Sequence, residues 1–481
     1  MPTHRLIAAL IPLALAACTV GPDYHEPKSN ADVSFQQRGP GAEFLNTSSA
    51  IPLPAAWWTA LNDTSLNALV AQAADANLDV QQAEARIREA RAQRAVVFGR
   101  ELPALDGGAG YDRTRLSQNA APYNAFSVPG FPWEFNSYQA GFDATWELDI
   151  FGGNRRALEA AGAEFQAAVE DRRAVLVSLQ GEVARTYVEL RGAQRQRTLA
   201  QANLDSQTQT LSLTRDRVKN GVGSELDVSR AAALAAATEA AIPLYDRAEW
   251  EALHRLATLT REPLYALLYL LEAKPIPTPP QAVSADIPAN LVRRRPDIRR
   301  AERQLAAASA RVGVAEADLY PKLSLTGVFN LQSASIDDLV AWRSRSFSIG
   351  PTVTWPIFEA GRLRAVVVIK SAQQEEALLS YERTVDHAIQ EVRDQLVTFS
   401  TELSRHASLQ AAVKANEDSV HLADQLYRQG LTDFLTVLDA QRQLYQQQDA
   451  LAKSDAQLTE SFIALQKALG GGWAVEMTND K

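Results

Sequence analysis

Cysteine is nearly absent from this chain of 481 residues: Cys18 is the only one, beside two methionines and six histidines. A single thiol excludes an intrachain disulfide and every Cys-rich zinc or iron–sulfur site. The histidines, at 4, 25, 254, 387, 406 and 421, show no paired ligand spacing such as HExxH, so neither a metal nor any other cofactor is expected. GxSxG, P-loop and GxGxxG motifs are missing too, and His254, His387 and His406 fall in helical patterns, where a core or solvated imidazole is the ordinary case. No enzyme is expected. The formal charge is −9, with no dense Lys/Arg patch, which excludes a phosphate-tracking nucleic-acid binder. After residue 17 no apolar run reaches the roughly 20 residues that a membrane-spanning helix needs. What remains, 46% apolar and 22% charged residues with 24 Gly and 22 Pro, is the composition of a folded protein.

The N-terminus sets the compartment. His4 and Arg5 precede an apolar stretch, Leu6 to Leu15, which is too short to span a bilayer and reads as a signal peptide. It ends in Leu15-Ala16-Ala17-Cys18. Small residues before the single Cys resemble the lipobox at which bacterial lipoproteins are cleaved and acylated; the competing reading is a buried or incidental thiol. On the lipobox reading residues 1–17 are removed and Cys18 carries the lipid, each buried CH₂ contributing about 0.8 kcal/mol of attachment. Thr19 stands where an Asp would favour retention at the inner membrane, so delivery to the outer membrane of a Gram-negative bacterium is expected.

A missed repeat miscalls a whole fold, so self-similarity comes first. Asp79-Val80 with Ala83-Glu84 matches Asp297-Ile298 with Ala301-Glu302 at an offset of 218, and the same offset brings Leu102-Pro103 onto Tyr320-Pro321. Further on the offset is 209: Gly141 meets Gly350, Trp146 meets Trp355, Gly152 meets Gly361, Glu182-Val183 meets Glu391-Val392, Gly221 meets Gly430 and Val228 meets Val437. One register held from Gly141 to Val228 without a gap implies an internal duplication. The expected domains are a signal peptide over 1–17, a lipidated extended segment over 18–63, a first repeat over 64–280 (helix, two strands, long helical hairpin), a second over 281–470 and a tail over 471–481.

Each repeat contains a very long helix. Asn154–Asn220 has no Pro, and Arg362–Gln429 has neither Pro nor Gly; at 1.5 Å per residue each stretch makes a helix of about 100 Å. Leu176, Val183, Leu190, Leu204, Leu211 and Val218 fall on a seven-residue repeat, and Val385, Ile389, Val392, Leu396, Phe399 and Leu403 alternate four and three. That is the period of left-handed coiled-coil packing. Gly221 and Gly430 then break the helices, and second helical patterns return from about Glu225 toward Thr260 and from about Asp433 toward Leu469. Each repeat thus has a hairpin with a glycine at its tip. Shorter helices are expected over about 64–99 and 290–318, the latter opening after Pro288.

Tyr138, Ala140, Phe142, Ala144, Trp146, Leu148 and Ile150 alternate with Gln139, Gly141, Asp143, Thr145, Glu147 and Asp149, a strand signal with one apolar and one acidic face. The second repeat does the same over Phe347–Ile357; Leu323–Leu331 gives a partner strand and Leu105–Asp112 a weaker one. On periodicity alone this is equally a half-buried sheet over a helix, but the expected lipid anchor and the lengths suit membrane strands of about 9–11 residues. In hydrocarbon an open sheet edge leaves unpaired N–H and C=O groups, so the strands must close into a barrel, and four are too few. Two or more protomers must supply the staves. The lumen is then wet and acidic, lined by Asp143, Glu147 and Asp149, and favours cations.

These features resemble the TolC-like outer membrane factors, in particular the lipoprotein branch of efflux exit ducts. The residues that carry the likeness are Cys18 with Gly21-Pro22-Asp23-Tyr24 and Pro27, Ile287-Pro288 with Leu291, Arg294-Arg295-Pro296-Asp297-Ile298 with Ala301-Glu302, Tyr320-Pro321, Trp146 through Phe151-Gly152, Trp355-Pro356-Ile357-Phe358 through Gly361-Arg362, and Gly430 through Val437-Leu438-Asp439-Ala440. The resemblance implies an α+β membrane protein: a homotrimer forming a 12-stranded barrel, four strands per protomer, continued by a periplasmic helical coiled-coil barrel. It implies a periplasmic adaptor and an inner-membrane pump as partners, beside outer-membrane lipid, and passive conduction of drugs or other small molecules. It also implies a gate at the periplasmic tip. By position Tyr427 matches the gate tyrosine and Asp439 an acidic ring residue, while Thr432 and Thr436 stand where the best-known member has Arg and Asp, so the latch is altered. Asp227 and Arg230 hold the equivalent tip positions of the first repeat, and Arg428 and Asp433 are placed for local pairs. The alternatives are an exit duct for secreted polypeptides, with the same architecture, and a structural periplasmic coiled-coil lipoprotein, which leaves the four strands unexplained.

Overall fold

The alternating segments form one antiparallel sheet. The structure, a computed structural model, describes residues 19–27, 45–46, 55–117, 119, 133–280, 283–284 and 294–473. Among the described residues one unit comprises those up to Pro27, Arg86–Ala168 and Ala301–Tyr381, and the other those between Lys28 and Ala85, Val169–Arg300 and those from Glu382 on. Cys18, Ile287-Pro288 and Leu291 lie outside the described residues.

In the first unit strands β1 (Ala104–Arg115), β2 (Glu134–Leu148), β3 (Lys322–Ser333) and β4 (Arg345–Thr354) pair in the order β1-β2-β3-β4. Every pairing is antiparallel. β2 starts four residues earlier than the alternation implies and ends at Leu148, and β4 ends at Thr354, ahead of Trp355-Pro356-Ile357. Pro356 has no N–H to give a ladder. Pro351 does lie inside β4, which its place on the sheet edge permits. Gly152 and Gly361, at equivalent positions, take φ of +80° and +85° where the chain turns from strand to helix, a conformation that glycine adopts without a Cβ clash. The helices that follow are α3 (Gly153–Lys219) and α6 (Arg362–Arg428).

The N-terminal segment is fastened to the same corner. Val20 donates its N–H to Phe151 O (3.1 Å), and the buried Arg156 on α3 donates to Val20 O, Gly21 O and Asp23 Oδ1, the last at 2.6 Å. Gly21 lies so close to Gly313 of α5 (Pro296–Ala317) that a Cβ there would fall 2.3 Å from the Gly313 Cα. Tyr24 closes the segment with a hydrogen bond to Glu302 (3.0 Å); burial and that carboxylate push its hydroxyl pKa well up. Helix α5 opens at Pro296 rather than near 290, with Pro at a first-turn position that has no intrahelical N–H partner to lose.

The second unit holds the long hairpins and the main core. The expected 64–99 helix is two, α1 (Thr64–Ala76) and α2 (Leu78–Phe98). Asn77 separates them by bonding elsewhere: its Nδ2 donates to Leu259 O (3.0 Å) and its Oδ1 accepts from Asp79 N–H (2.8 Å), the local competition with helix bonding that Asn favours. Helices α4 (Glu225–Thr260) and α7 (Phe434–Ala468) return from the tips, α4 with an interior Pro243 that the repeat pattern did not reveal. The heptad residues are buried or half-buried throughout. Trp57, Leu66, Val183, Tyr187, Leu190, Leu253, Phe399, Phe462 and Leu465 form the core. Arg191 is fully buried among them, its Nη1 donating to Leu270 O (3.0 Å), Glu272 O (2.7 Å) and Gln194 (2.7 Å), and its guanidinium lies over the Tyr187 ring. A charge taken out of water needs such partners, and here it pins the C-terminal end of an unforeseen 3₁₀ segment, Leu264–Leu271, to α3. Burial and Asp63 push the Tyr187 hydroxyl up to about 12, while burial and Glu189 push Glu460 up to about 7, against the opposing pull of Arg185.

Candidate functional site

Two features carry chemistry, one in each unit. The first is the sheet. Side chains directly opposite across paired strands share a face, and the registers sort the four strands cleanly. One row runs Gly108, Gly141, Asn330, Ser346; the next runs Asp106, Asp143, Val328, Ser348; another joins Glu147, Ser324 and Thr352. Apart from Val328 that face is polar or small. The rows between are apolar, as in Ala109, Ala140, Leu331 and in Gly107, Phe142, Phe329, Phe347. In the single chain these side chains are bare: Leu105 is 69% exposed, Phe347 74% and Ile349 73%. Among the described residues nothing in the unit covers them. A solvated apolar face of this extent across four strands marks a membrane or interaction surface.

Asp143 and Glu147 lie on the polar face as expected. Asp149 does not: it is one residue past β2, and its carboxylate accepts from the Arg155 N–H (2.8 Å), with the Arg155 guanidinium at 3.4 Å. It therefore organises the strand-to-helix corner. In its stead the register supplies Asp106, directly opposite Asp143, a residue that the Gly-rich segment 106–110 hid because alternation with glycine carries little signal. Two carboxylates facing each other across a strand pair repel. Replacing both with asparagine should lower the cation-over-anion permeability ratio of the reconstituted protein roughly two-fold, since the lining charge concentrates the counter-ion; reversal potentials across a salt gradient measure it, and an anion-preferring wild type would reject the assignment.

The second feature is the pair of hairpin tips. Gly221 and Gly430 have φ of +74° and +75°, and each closes the same motif: Gly221 N–H to Val218 O with Val222 N–H to Arg217 O, and Gly430 N–H to Tyr427 O with Leu431 N–H to Leu426 O. This is the left-handed helix stop that satisfies the last carbonyls. The returning helices are capped at equivalent positions by Ser224 and Asp433, whose side chains accept from Leu226 and Thr436 N–H. Thr436 also donates its hydroxyl to Asp433 and Thr432 donates to Thr436, so the two threonines and Asp433 form a local cap network. The Asp433 carboxyl is held below its usual range by the Thr436 hydroxyl and N–H. Arg428 pairs with Asp424 (2.7 Å), not with Asp433. Asp227 and Arg230 approach to 3.9 Å, an exposed pair of small value. Asp439 is exposed, with no hydrogen bond or ion pair among the described residues.

Tyr427 is buried, packed on Phe434 (5.5 Å between ring centres) in a cluster with Leu211, Ala231, Val437 and Leu438. The residue that sequence reasoning missed is Arg217, on the last turn of α3. Its guanidinium lies 4.3 Å from the centre of the Tyr427 ring, and its Nη1 donates to Tyr427 O at 3.0 Å. That carbonyl already accepts from Gly430 N–H. One cation thus clasps the first hairpin to the stop motif of the second.

A sheet with a bare apolar face and an acidic polar face, in a chain that also carries long helical hairpins, is the make-up of a membrane β-protein that also has a helical unit. The chain belongs to the outer membrane efflux protein family, whose model matches residues 69–260 and 287–471. It is 32% identical over 479 residues to nodulation protein T of Rhizobium leguminosarum bv. viciae, covering 98% of this chain and 95% of the relative. The solvent efflux pump outer membrane protein SrpC of Pseudomonas putida is 34% identical over 480 residues, covering 96% and 97%. Among solved structures, that of the outer-membrane channel OprN superimposes with a TM-score of 0.86 at 36% identity, covering 95% of this chain and all of OprN. The protein is an outer-membrane efflux duct.

Proposed function

We propose that three copies of this chain close a 12-stranded barrel in the outer membrane, continued by a periplasmic barrel of the helical hairpins, and that the assembly passively conducts drugs or other small molecules received from a periplasmic adaptor and an inner-membrane pump. The observation that carries the reading is the four-stranded sheet with its apolar face bare and the edges of β1 and β4 unpaired among the described residues. In hydrocarbon each unsatisfied backbone group costs several kcal/mol, so such edges must be sealed by further copies. The chain is read as an internal duplication because Trp146 and Trp355, at equivalent positions, donate their indole N–H groups to Glu101 O and Leu319 O, themselves equivalent. Cys18 is assigned the lipid, a reading supported by the next residue, Thr19, which packs on Gly152 at the strand-to-helix corner. Val222 and Leu431, 65% and 71% exposed at equivalent places on the two tips, offer the adaptor an apolar foothold. Tyr427, Thr432, Thr436, Asp227, Arg230 and Asp439 remain gate candidates, the last acting only where copies meet.

Deletion of the protein, followed by a panel of dyes, solvents and antibiotics beside secretion assays, tests this. Several-fold increased susceptibility with secretion intact is expected. Unchanged susceptibility with lost secretion would overturn it in favour of a polypeptide duct.

A further inference from the structure

The apolar face of the sheet is bounded at both ends by side chains with an apolar body and a polar tip. At the helical end stand Trp146 and Trp355. Toward the other end stand Tyr111 and Tyr138, opposite each other with ring centres 4.7 Å apart, and beyond β3 the exposed Trp342. Tyr138 and Trp146 are eight residues apart on β2, about 26 Å along a strand and about 20 Å of height once tilted as barrel strands are, most of the roughly 25 Å apolar band of a membrane β-barrel. Since the helices and the N-terminal segment attach at the tryptophan end, the tyrosine end faces outward.

At the outer ring the same lipid-facing surface turns basic. Arg113 and Arg115 follow Tyr111 on alternate positions of β1, beyond the tyrosine row, and Arg345 opens β4 on the same face, in the adjacent row of Ala109, Ala140 and Leu331. Arg113 and Arg115 share one carboxylate, Glu134, at 3.0 and 2.8 Å, with their side chains 66% and 76% exposed. Two guanidiniums on one carboxylate leave a positive charge over. Arg345 stacks on Trp342 with its guanidinium 3.2 Å from the ring centre and has no ion pair among the described residues. The concentration runs against the chain as a whole, whose formal charge is −9 and whose opposite sheet face is acidic. Cations placed for a water-filled lumen would stand on that other face. These stand where the head groups of the outer leaflet lie, and that leaflet in a Gram-negative outer membrane is built of a glycolipid carrying phosphates on its sugars. Guanidinium forks match phosphate oxygens in geometry and charge, and long basic side chains beside an apolar surface reach outward to the head-group level.

We propose that Arg113, Arg115 and Arg345 form a phosphate-binding rim for the phosphorylated glycolipid of the outer leaflet, with Trp342 and the Tyr111–Tyr138 pair against its sugar and upper acyl region. The proposal rests on the barrel reading above. In the closed barrel β4 of one copy neighbours β1 of the next, so Arg345 and the Arg113–Arg115 pair stand on adjoining strands at each seam and the binding site is completed by assembly.

The test uses the purified full chain in phosphatidylcholine bilayers containing either bis-phosphorylated lipid A or its dephosphorylated form. Wild type should retain the phosphorylated lipid about ten-fold better, as charge-assisted contacts to phosphate require, by mass spectrometry of bound lipid. The triple variant R113A/R115A/R345A should lose that preference, and Arg343→Ala, whose partner is Asp338 at 2.8 Å, should keep it. Equal retention of the two lipids by wild type, or undiminished preference in the triple variant, overturns the proposal. Should the triple variant fail to assemble, Arg345→Ala, which has no ion pair to lose, carries the same two readings. A wild type that stays a single chain in every lipid sinks the barrel reading and the rim together; an oligomer blind to lipid phosphate sinks the rim alone.

Discussion

Arg217→Ala is expected to raise the resting current of the reconstituted protein about ten-fold, because a desolvated cation–π contact is worth about 2 kcal/mol and a factor of ten in an equilibrium corresponds to about 1.4 kcal/mol. The clasp joins the last turn of α3 to the Tyr427 ring and carbonyl, so any opening that draws the second hairpin away from the first must break it. In the proposed three-copy assembly three clasps are released, and the effect compounds if the tips move together. The two halves of the contact separate by mutation. Tyr427→Leu removes the ring and keeps the carbonyl, and should raise the current less than Arg217→Ala; Arg217→Lys keeps a cation but loses the planar fork. Lys219→Ala, two residues on and 78% exposed beside Asp216, should change nothing. Single-channel recordings at fixed voltage give the comparison. A current in Arg217→Ala equal to wild type would mean that the tip is held elsewhere.

The offset that relates the two halves of the sequence explains why this clasp was invisible there. Under the offset of 209, Arg217 falls on Leu426 and Tyr427 on Val218, so the interaction joins non-equivalent residues and has no echo in the other repeat. What the two halves share was legible: the glycine stops at 221 and 430, the helical returns from about 225 and 433, and the long helices, whose ends lie within a residue of the stretches free of proline. Those features are local, set by backbone conformation and period. The cap network of Thr432, Asp433 and Thr436 also lies within one turn, yet the sequence suggested only a local pair of Asp433 with Arg428. The helix end won, since a carboxylate one turn before free N–H groups gains two charge-assisted bonds without ordering a long side chain. The sheet shows the same division. Alternation located the strands and the polar side of β2, but Asp106 needed the register, and Asp149 was misplaced because a strand's end depends on where its neighbour stops offering bonds. Buried Arg191 had no pattern at all: its partners are the carbonyls of Leu270 and Glu272, some eighty residues away.

Gly141→Ala should abolish most assembly while Gly108→Ala leaves it intact, although the two glycines are cross-strand neighbours on the same polar row. A Cβ at Gly108 meets nothing within 4 Å; one at Gly141 falls 2.4 Å from Phe329 O and 2.8 Å from the Asn330 Cα. Both obstacles are backbone of β3, so no side-chain rotation relieves them, and the β2–β3 ladder must open. That ladder is where the strands of the first half join those of the second. In water a local opening exposes backbone groups that solvent can satisfy. In hydrocarbon each unpaired group costs several kcal/mol, so a gap of two or three bonds exceeds the roughly 5–15 kcal/mol by which a domain is usually stable. The yield of folded oligomer in outer-membrane fractions, read on unheated gels, should fall to about one tenth of wild type or less for Gly141→Ala. For Gly108→Ala it should equal wild type or exceed it slightly, since alanine at a compatible strand position lowers the entropy of the unfolded chain. Equal yields from the two variants would show that β2 can move away from β3 without loss, and the sheet as described would then not be the structure that inserts.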